Sequence, residues 1–554
     1  MGSALSSGVT GLQAHQKMLE VAGNNLANVN TAGFKGSRIG FSDLLSETIR
    51  KAASAGSNLG GTNPQQMGSG VGISSITRDM SQGGFESTGQ ALDMAISGDG
   101  YFVLNNGTEN VYTRVGSFGI DSDSNLVDPA TGYRVQRIGS AGEAEGFQTV
   151  GNSNITIPYG AAMPAKATST FNLSGNLRSE GGTPTANILS SGIGYTLASD
   201  GSNADSSTLL TDLKQFSGTF NAADTITISG TDKANGAVGP VTWTVPAGAT
   251  LGDLATQISS AYTGSTAKIV NGEIRLTDDT AGFSYTDLNL SYNGAGTADL
   301  ETPGYFQLLQ AGGEDMKLTS IDIYDASGGK HTLSGAFVKS DTTANSWDFV
   351  LTKLTGKVDS IVNRRIEGVN FTPEGAYLGI SGSTDDFSFK FSSDPATTQS
   401  ITMSAGTIGM YDGLTQFKAG EGASSTAAAS NQNGYAAGEL ADVSSSDGKL
   451  IGTFSNGEKK TIATIQLATF QNSGGLESIG QNYFTASANS GDPIATESGS
   501  GGAGRVEGQK LEKSNVQVAQ EFVTMIQAQN GFQANARTIS VANDVLRELT
   551  NLIR

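Results

Sequence analysis

The chemistry open to this 554-residue chain is narrow, because it has two histidines, His15 and His331, and no cysteine. The missing cysteine removes disulfides, thiolate metal sites and thiol nucleophiles. His331 flanks a strand-like run with no second histidine nearby, the setting of a structural or surface imidazole rather than a metal ligand. Gly98-Asp99-Gly100 opens like a dinucleotide loop, but Val103 stands where the third glycine belongs and strand residues follow. Asp121, Asp123 and Asn125 imitate a calcium loop, yet Leu126 takes the sharp-turn glycine position and Gly132 the bidentate glutamate position. The Gly-Lys pairs beginning at Gly329, Gly356 and Gly448 run into His331, Val358 and Leu450, not the Ser or Thr of a phosphate-binding loop. The acid pairs Asp278-Asp279 and Asp385-Asp386 have residue types suited to glycoside chemistry, but many carboxylates make such pairs common. No catalytic, cofactor-binding or metal-binding residue is therefore assigned. The expectation is a protein that is not an enzyme and needs no cofactor.

The elements around these residues point to assembly instead. Leu5, Leu12, Leu19 and Leu26 recur every seven residues, the spacing of one narrow helical seam. That helix should stop within Asn28–Gly33, where asparagine and glycine tolerate the left-handed conformation. Val518, Met525, Phe532, Ile539, Leu546 and Ile553 repeat the spacing at the other end. Ser514 and Gln517 read as a capping box that starts this second helix near Asn515. Intermediate seam positions, Gly23, Gln529, Ala536 and Asn543, are small or polar, so one partner would bury each helix poorly. Pairing the two helices and packing the pair against other copies satisfies both stripes.

Between the ends, short alternating runs such as Tyr101–Leu104 and Thr461–Leu467 are separated by Gly, Asn, Asp and Ser turns, the pattern of antiparallel β structure. One helix interrupts it: Thr250 and Asp253 form a cap, and Leu251, Leu254 and Ile258 share a face. Stretches rich in Ser, Gly and Ala near 53–72, 179–207, 419–430 and 487–504 read as linkers or loops.

Length and charge bound the rest. By size the chain holds roughly four domains. Glycine supplies 75 residues and proline only 11, so many tight turns are implied and a collagen-like chain is excluded. The first and last fifty residues each carry a net charge of +1 and the interior −21, making −19 in all. That field repels nucleic acid and anionic lipid. No apolar run is long enough to span a bilayer, and the start, MGSALSSGVT, lacks the features of a cleaved signal.

Specific motifs sharpen this picture. The run from Gly11 to Lys35, GLQAHQKMLEVAGNNLANVNTAGFK, resembles the signature of bacterial flagellar rod and hook proteins, above all in Asn24, Asn25, Asn28, Asn30, Thr31, Gly33, Phe34 and Lys35. The segment from Leu511 with Glu512, Ser514, Asn515 and Val516 resembles that family's closing helix. LDMAISGDGYFVL, YTRVGSF, NQNGYAAGEL and the run from Gly475 to Phe484 resemble its inner β domain. SIDIYDASGGKHTLSGAFVK from Ser320 and Gly413–Phe417 resemble outer-domain and return segments of the hook member, and residues near 210–300 resemble a module of several flagellar axial proteins. Gly531 departs from the pattern, with an expected cost of about 1 kcal/mol against alanine in a helix interior.

The resemblance implies a multidomain α+β chain in which paired, coiled-coil-like terminal helices carry mainly antiparallel β middle and outer domains between them. The expected divisions are 1–30 with 515–554 as the helical inner core and 31–75 with 496–514 as connecting segments. Next come 76–165 with 413–495 as an inner β domain, 166–180 with 316–412 as an outer β domain, and 181–315 as an additional insert. The implied function is a structural subunit that polymerises helically into a curved, flexible tube, transmitting torque from rod to filament and enclosing the export channel. Its implied partners are further copies of itself, the distal rod protein, the hook cap protein, the hook–filament junction protein and the export apparatus. Its implied place is extracellular, reached without a cleaved signal. A distal rod or other axial protein is the nearest alternative. A secreted β-rich adhesin or carbohydrate-binding protein is the alternative of another class, but it leaves the two terminal stripes without a purpose.

Overall fold

The structure is a computed structural model that describes residues 2–57, 59–340, 343–420 and 424–552. Among these the chain is mostly β, with three α-helices: α1 (Gly2–Ala27), α2 (Leu251–Ala261) and α3 (Val518–Leu552). It divides into two compact units, one running to Met163 and resuming at Glu439, the other Pro164–Gly438.

In the first unit, α1 and α3 pack side by side and antiparallel. Going down α1, Gly8 faces Ile539, Gly11 faces Asn535 and His15 faces Gly531, while Asn25 bonds Glu521. After α1 the chain turns through Asn28–Gly33 and enters a long hairpin, Ser37–Asp43 against Val71–Arg78, continued by Ser46–Arg50 against Gln65–Gly68. Within the expected 53–72 linker, residues 65–68 and 71–72 are paired strand, and Ala53 bridges Thr62. A nine-stranded sheet containing Tyr101–Asn105, Asn110–Thr113 and Tyr483–Thr485 buries Tyr101, Val103, Tyr112, Leu476 and Phe484. The returning chain pairs Arg505–Gly508 with Met94–Ser97 and Lys510–Glu512 with Phe85–Ser87, which brings the two distant chain segments to one place.

The second unit holds an antiparallel five-stranded sheet, Met316–Tyr324 through Tyr377–Ile380, and a six-stranded sheet containing Thr170–Arg178. Phe171, Trp347, Phe349, Phe387 and Phe389 are among the side chains of their common core. Thr170–Arg178 runs parallel to Leu414–Phe417 and antiparallel to Ala428–Gln432. This corrects the expected placing of 413–438 in the inner β domain: the return strands complete the second unit, and the change of unit falls at Gly438–Glu439.

The 181–315 segment also differs from expectation, since its core is not closed on itself but runs on into the five-stranded sheet. Ile226, Leu254, Ile258, Tyr262 and Phe306 share one cluster with Ala336, Val338 and Val350 from the five-stranded sheet. The helix expected there is present as α2, with Thr250 and Asp253 forming a reciprocal capping box and Leu251, Leu254 and Ile258 buried.

Candidate functional site

The residues singled out at the two chain ends do two different jobs. The first is a close helix pair. A Cβ on Gly8 would lie 3.0 Å from Ile539 Cγ1, and one on Gly11 would lie 2.6 Å from Asn535 Oδ1, so glycine lets the helices approach. Gly8, Gly11, Ala14, Ala22 and Asn25 are buried, whereas Leu5, Leu12, Leu19 and Leu26 are only half-buried. The leucine stripe is therefore not the face that meets α3, because a contact this close selects small side chains and turns the bulky ones aside. On α3, Ile539 meets α1, Met525 and Phe532 are half-buried, and Val518 and Leu546 are exposed. Ile553 lies outside the described residues.

The second job is a buried clasp at the foot of the pair. Lys35 and Glu512, with side chains 1% and 0% exposed, form an ion pair of 2.7 Å. Lys35 Nζ also donates to Ser81 O at 2.7 Å, and Glu512 Oε1 accepts from Gly83 N at 2.9 Å. Arg114 approaches Glu512 Oε2 at 3.5 Å and lies over the Tyr101 ring at 5.2 Å. Burial pushes the Lys35 ammonium below the usual lysine range, and the Glu512 charge opposes that shift.

Asparagines lace the same place. Asn515 accepts from Gly36 N at 2.8 Å and donates to Asp79 O at 2.8 Å. Asn25 accepts from Ser37 N and donates to Ser37 O, each at 2.8 Å, and also donates to Glu521 Oε1 at 3.0 Å. Gly33, at φ +67°, donates to Glu512 O at 2.8 Å, and Phe34 is buried beside it. Asn28 accepts from Thr31 Oγ1 at 3.2 Å and donates to Asn24 O at 3.0 Å, closing the turn after α1. Asn30 is exposed, and Leu511 and Val516 are partly buried.

Because Asn515 is committed to the clasp, α3 begins only at Val518. The expected capping box is absent: Ser514 Oγ accepts from Val516 N at 3.3 Å, a local turn, and Gln517 O takes the first helical N–H groups.

The residues first tested for chemistry sit in structural settings. His331 bonds Thr355 O at 2.9 Å and Asp325 Oδ2 at 3.0 Å and stacks on Phe391. Asp121 accepts from Asp123 N and Asn125 N in a hairpin turn. Asp278 is buried and accepts from Ser265 and Thr286 hydroxyls, and Asp386 accepts from Ser388 and Ser400. Among the described residues no group of three or more His, Asp or Glu is placed to hold a metal ion, and no helix is long and apolar enough to cross a membrane.

Comparison with known proteins bears on these chain ends directly. The pattern described as Flagella basal body rod protein matches residues 5–35, and that of the Flagellar basal body rod FlgEFG protein C-terminal matches 507–552, so both halves of the clasp fall inside them. Between lie the Flagellar hook protein FlgE/F/G D1 domain at 95–176, the Flagellin hook IN motif at 225–280 and the Flagellar basal body protein FlaE D2 domain at 292–435. The Flagellar hook protein FlgE of Borreliella burgdorferi is 30% identical to this chain, with all of both chains covered. The chain belongs to the flagellar hook protein family.

A second hook relative, from Treponema pallidum, is 31% identical over the whole of both chains. The Flagellar basal-body rod protein FlgG of Bacillus subtilis is 46% identical, but over only 24% of this chain and 50% of its own. The family's shared ends thus correspond to the clasp and helix pair, and full-length agreement is with hook members. Ser81 and Gly83 were not singled out from sequence, because nothing local marks them, and Arg114 entered only as part of the YTRVGSF motif, with no role assigned. The His15–Gly531 contact had one signal, a glycine inside an otherwise helical pattern.

Proposed function

We propose that this chain is the structural subunit of the bacterial flagellar hook, polymerising helically into a curved tube that joins rod to filament and encloses the export channel. The observation that carries the proposal is what the helix pair leaves uncovered. Val518, Phe522 and Ile526, spaced four apart on α3, stay 40, 49 and 56% exposed, and Val541, Val545 and Leu549 repeat the pattern further along. An apolar stripe of this length calls for a protein surface against it. Neighbouring copies supply one through a heterologous contact that does not close on itself, which builds an open helix rather than a ring.

The same reading places the protein outside the cell, exported without a cleaved signal and without catalytic activity. Its partners are then the distal rod protein below, the hook cap during growth, the hook–filament junction protein above and the export apparatus that delivers it. Negative-stain microscopy of the purified chain under polymerising conditions tests the proposal. Curved tubes are expected, and a persistent monomer that binds glycans would favour the adhesin reading.

A further inference from the structure

Arg114, Arg137, Arg178, Arg275, Arg364 and Arg365 are buried or half-buried, and each meets a carboxylate, in turn Glu512, Glu143, Asp315, Glu273, Asp287 and Asp348. A guanidinium taken out of water without an anion is costly, and these pairs offset that cost. Arg78 is the exception. It is half-buried at the end of the hairpin strand Val71–Arg78, and among the described residues its side chain makes no ion pair and no hydrogen bond. One face of the guanidinium lies over the buried Phe484 ring at 5.4 Å. Burial pushes the group below the usual arginine range, with no neighbouring charge acting the other way.

Arg78 lines two cavities of the first unit, of about 520 and 550 Å³. The first is walled by Arg38 and Asp79 and, from the start of α3, by Gln520, Glu521 and Thr524. The second is walled by Asn28, Thr31, Asp128, Ser478 and Asn482. The carboxylates that border them are engaged elsewhere: Glu521 with Asn25, Asp79 with Ser81 N, and Asp128 with Tyr483 OH and Ala130 N. The donors of Arg78 thus have no counterpart in their own chain.

We propose that Arg78 is an anchor between copies, its guanidinium taking a carboxylate side chain of a second copy that enters the cavity beside α3. Two observations choose this occupant. Glu521 on the cavity wall is three residues on from Val518 and so beside it on the helix surface, which makes the cavity continuous with the apolar stripe of Val518, Phe522 and Ile526. Charge agrees, because a chain with 52 acidic and 33 basic residues brings a surface rich in carboxylates, and an unpaired cation at the contact offsets part of the repulsion between copies. The anchor rests on the reading that a neighbouring copy covers that stripe. An arginine–carboxylate pair fixes orientation as well as affinity, so it sets the register of one copy on the next, which apolar contact alone leaves loose.

The test compares full-length wild type, Arg78→Met and Arg78→Lys under the same polymerising conditions. Arg78→Met keeps an unbranched stem over Phe484 and removes the charge. It should raise the protein concentration needed for tube growth at least about tenfold and leave the melting of the unassembled chain as in wild type. Arg78→Lys keeps the charge without the planar fork and should fall between the two. Tubes grown from isotopically labelled and unlabelled Arg78→Lys protein are then treated with a carbodiimide, which joins the introduced amine to a touching carboxylate as an amide and leaves as a urea carrying the lost water. Mass spectrometry should find position 78 joined to an Asp or Glu peptide with mixed labels. The anchor is overturned if Arg78→Met grows tubes at the wild-type concentration, if it weakens the unassembled chain as much as it weakens assembly, or if every link joins peptides of one label. It is also overturned if inorganic phosphate raises the melting of unassembled wild type but not of Arg78→Met and tubes of the two grow alike, the behaviour of a small-anion site. If the chain associates without forming tubes, the hook reading fails while the mixed-label links still decide the anchor.

Discussion

His15 lies flat against Gly531 across the helix pair: a Cβ at position 531 would come within 2.4 Å of His15 Cε1 and Nε2. The glycine that looks like a defect in α3 is thus the seat of a side chain on α1, and the cost of about 1 kcal/mol in helix propensity is exchanged for a close contact. The same ring also lies near Phe41, 6.2 Å between centroids and tilted by 51°, so the imidazole links both helices to the hairpin.

This contact makes a prediction of sign. Gly531→Ala should lower the thermal stability of the assembled or folded helix pair despite alanine's better propensity. In a His15→Ala background the same substitution should raise it, by about 0.5–1 kcal/mol. A double-mutant cycle followed by circular dichroism melting checks this, and the same sign in both backgrounds would remove His15 from the contact.

The second unit should melt as one body. Arg365 lies over the Tyr285 ring at 4.4 Å and the Phe283 ring at 5.4 Å while pairing with Asp348 at 3.0 Å, and Arg364 pairs with Asp287 and bonds Phe306 O. Together with the shared core, these bonds tie 181–315 to the five-stranded sheet. Arg365→Ala should cost about 3 kcal/mol and shift a single calorimetric transition. Deleting 181–315 should uncover Val338 and Val350 and give an aggregating product; a soluble, well-folded deletion would show that the cluster is dispensable.

How much of this was legible in the sequence depended on distance along the chain. The Thr250–Asp253 cap is written within four residues and stands as read. The partners of Thr170–Arg178 were not legible, because Leu414–Phe417 and Ala428–Gln432 lie more than 200 residues away and their short polar strands carry no register signal. The helix pair was read through its leucines, whereas the contact is made by glycine and alanine, which a hydrophobic-period search passes over. The motif residues Lys35, Glu512 and Asn515 were found by resemblance, but only the fold shows that they meet.

Acid should loosen the 181–315 region through Asp224. This buried carboxylate accepts from Asn221 N at 2.8 Å, Ala295 N at 2.6 Å and Tyr292 OH at 2.8 Å, and these bonds, Asn221 first, hold it below the ordinary aspartate value. A depressed folded-state pKa gives stability that is present above the unfolded value and lost as pH falls through the folded one. Wild type should therefore lose stability as pH drops below about 4, and Asp224→Asn should be weaker at neutral pH with a shallower acid limb. Parallel denaturation curves for the two proteins from pH 7 to 2 would refute the assignment.

The exposed stripe of α3 should control assembly without controlling folding. Phe522→Asp or Ile526→Asp puts a charge where an apolar neighbour is expected, at a position already open to solvent in the single chain. Tube formation should fall at least about tenfold, while the melting of Pro164–Gly438 stays put. Full assembly by both variants would move the interface elsewhere.

A helical reconstruction of tubes grown from the purified wild-type chain tests the central claim most directly, by showing where α1 and α3 lie. The account predicts that the paired helices form the wall nearest the channel, with Val518, Phe522 and Ile526 covered by a neighbouring copy and Lys35 closed on Glu512 within each subunit. Tubes whose subunits touch through the β units alone, with that stripe still facing solvent, would contradict it.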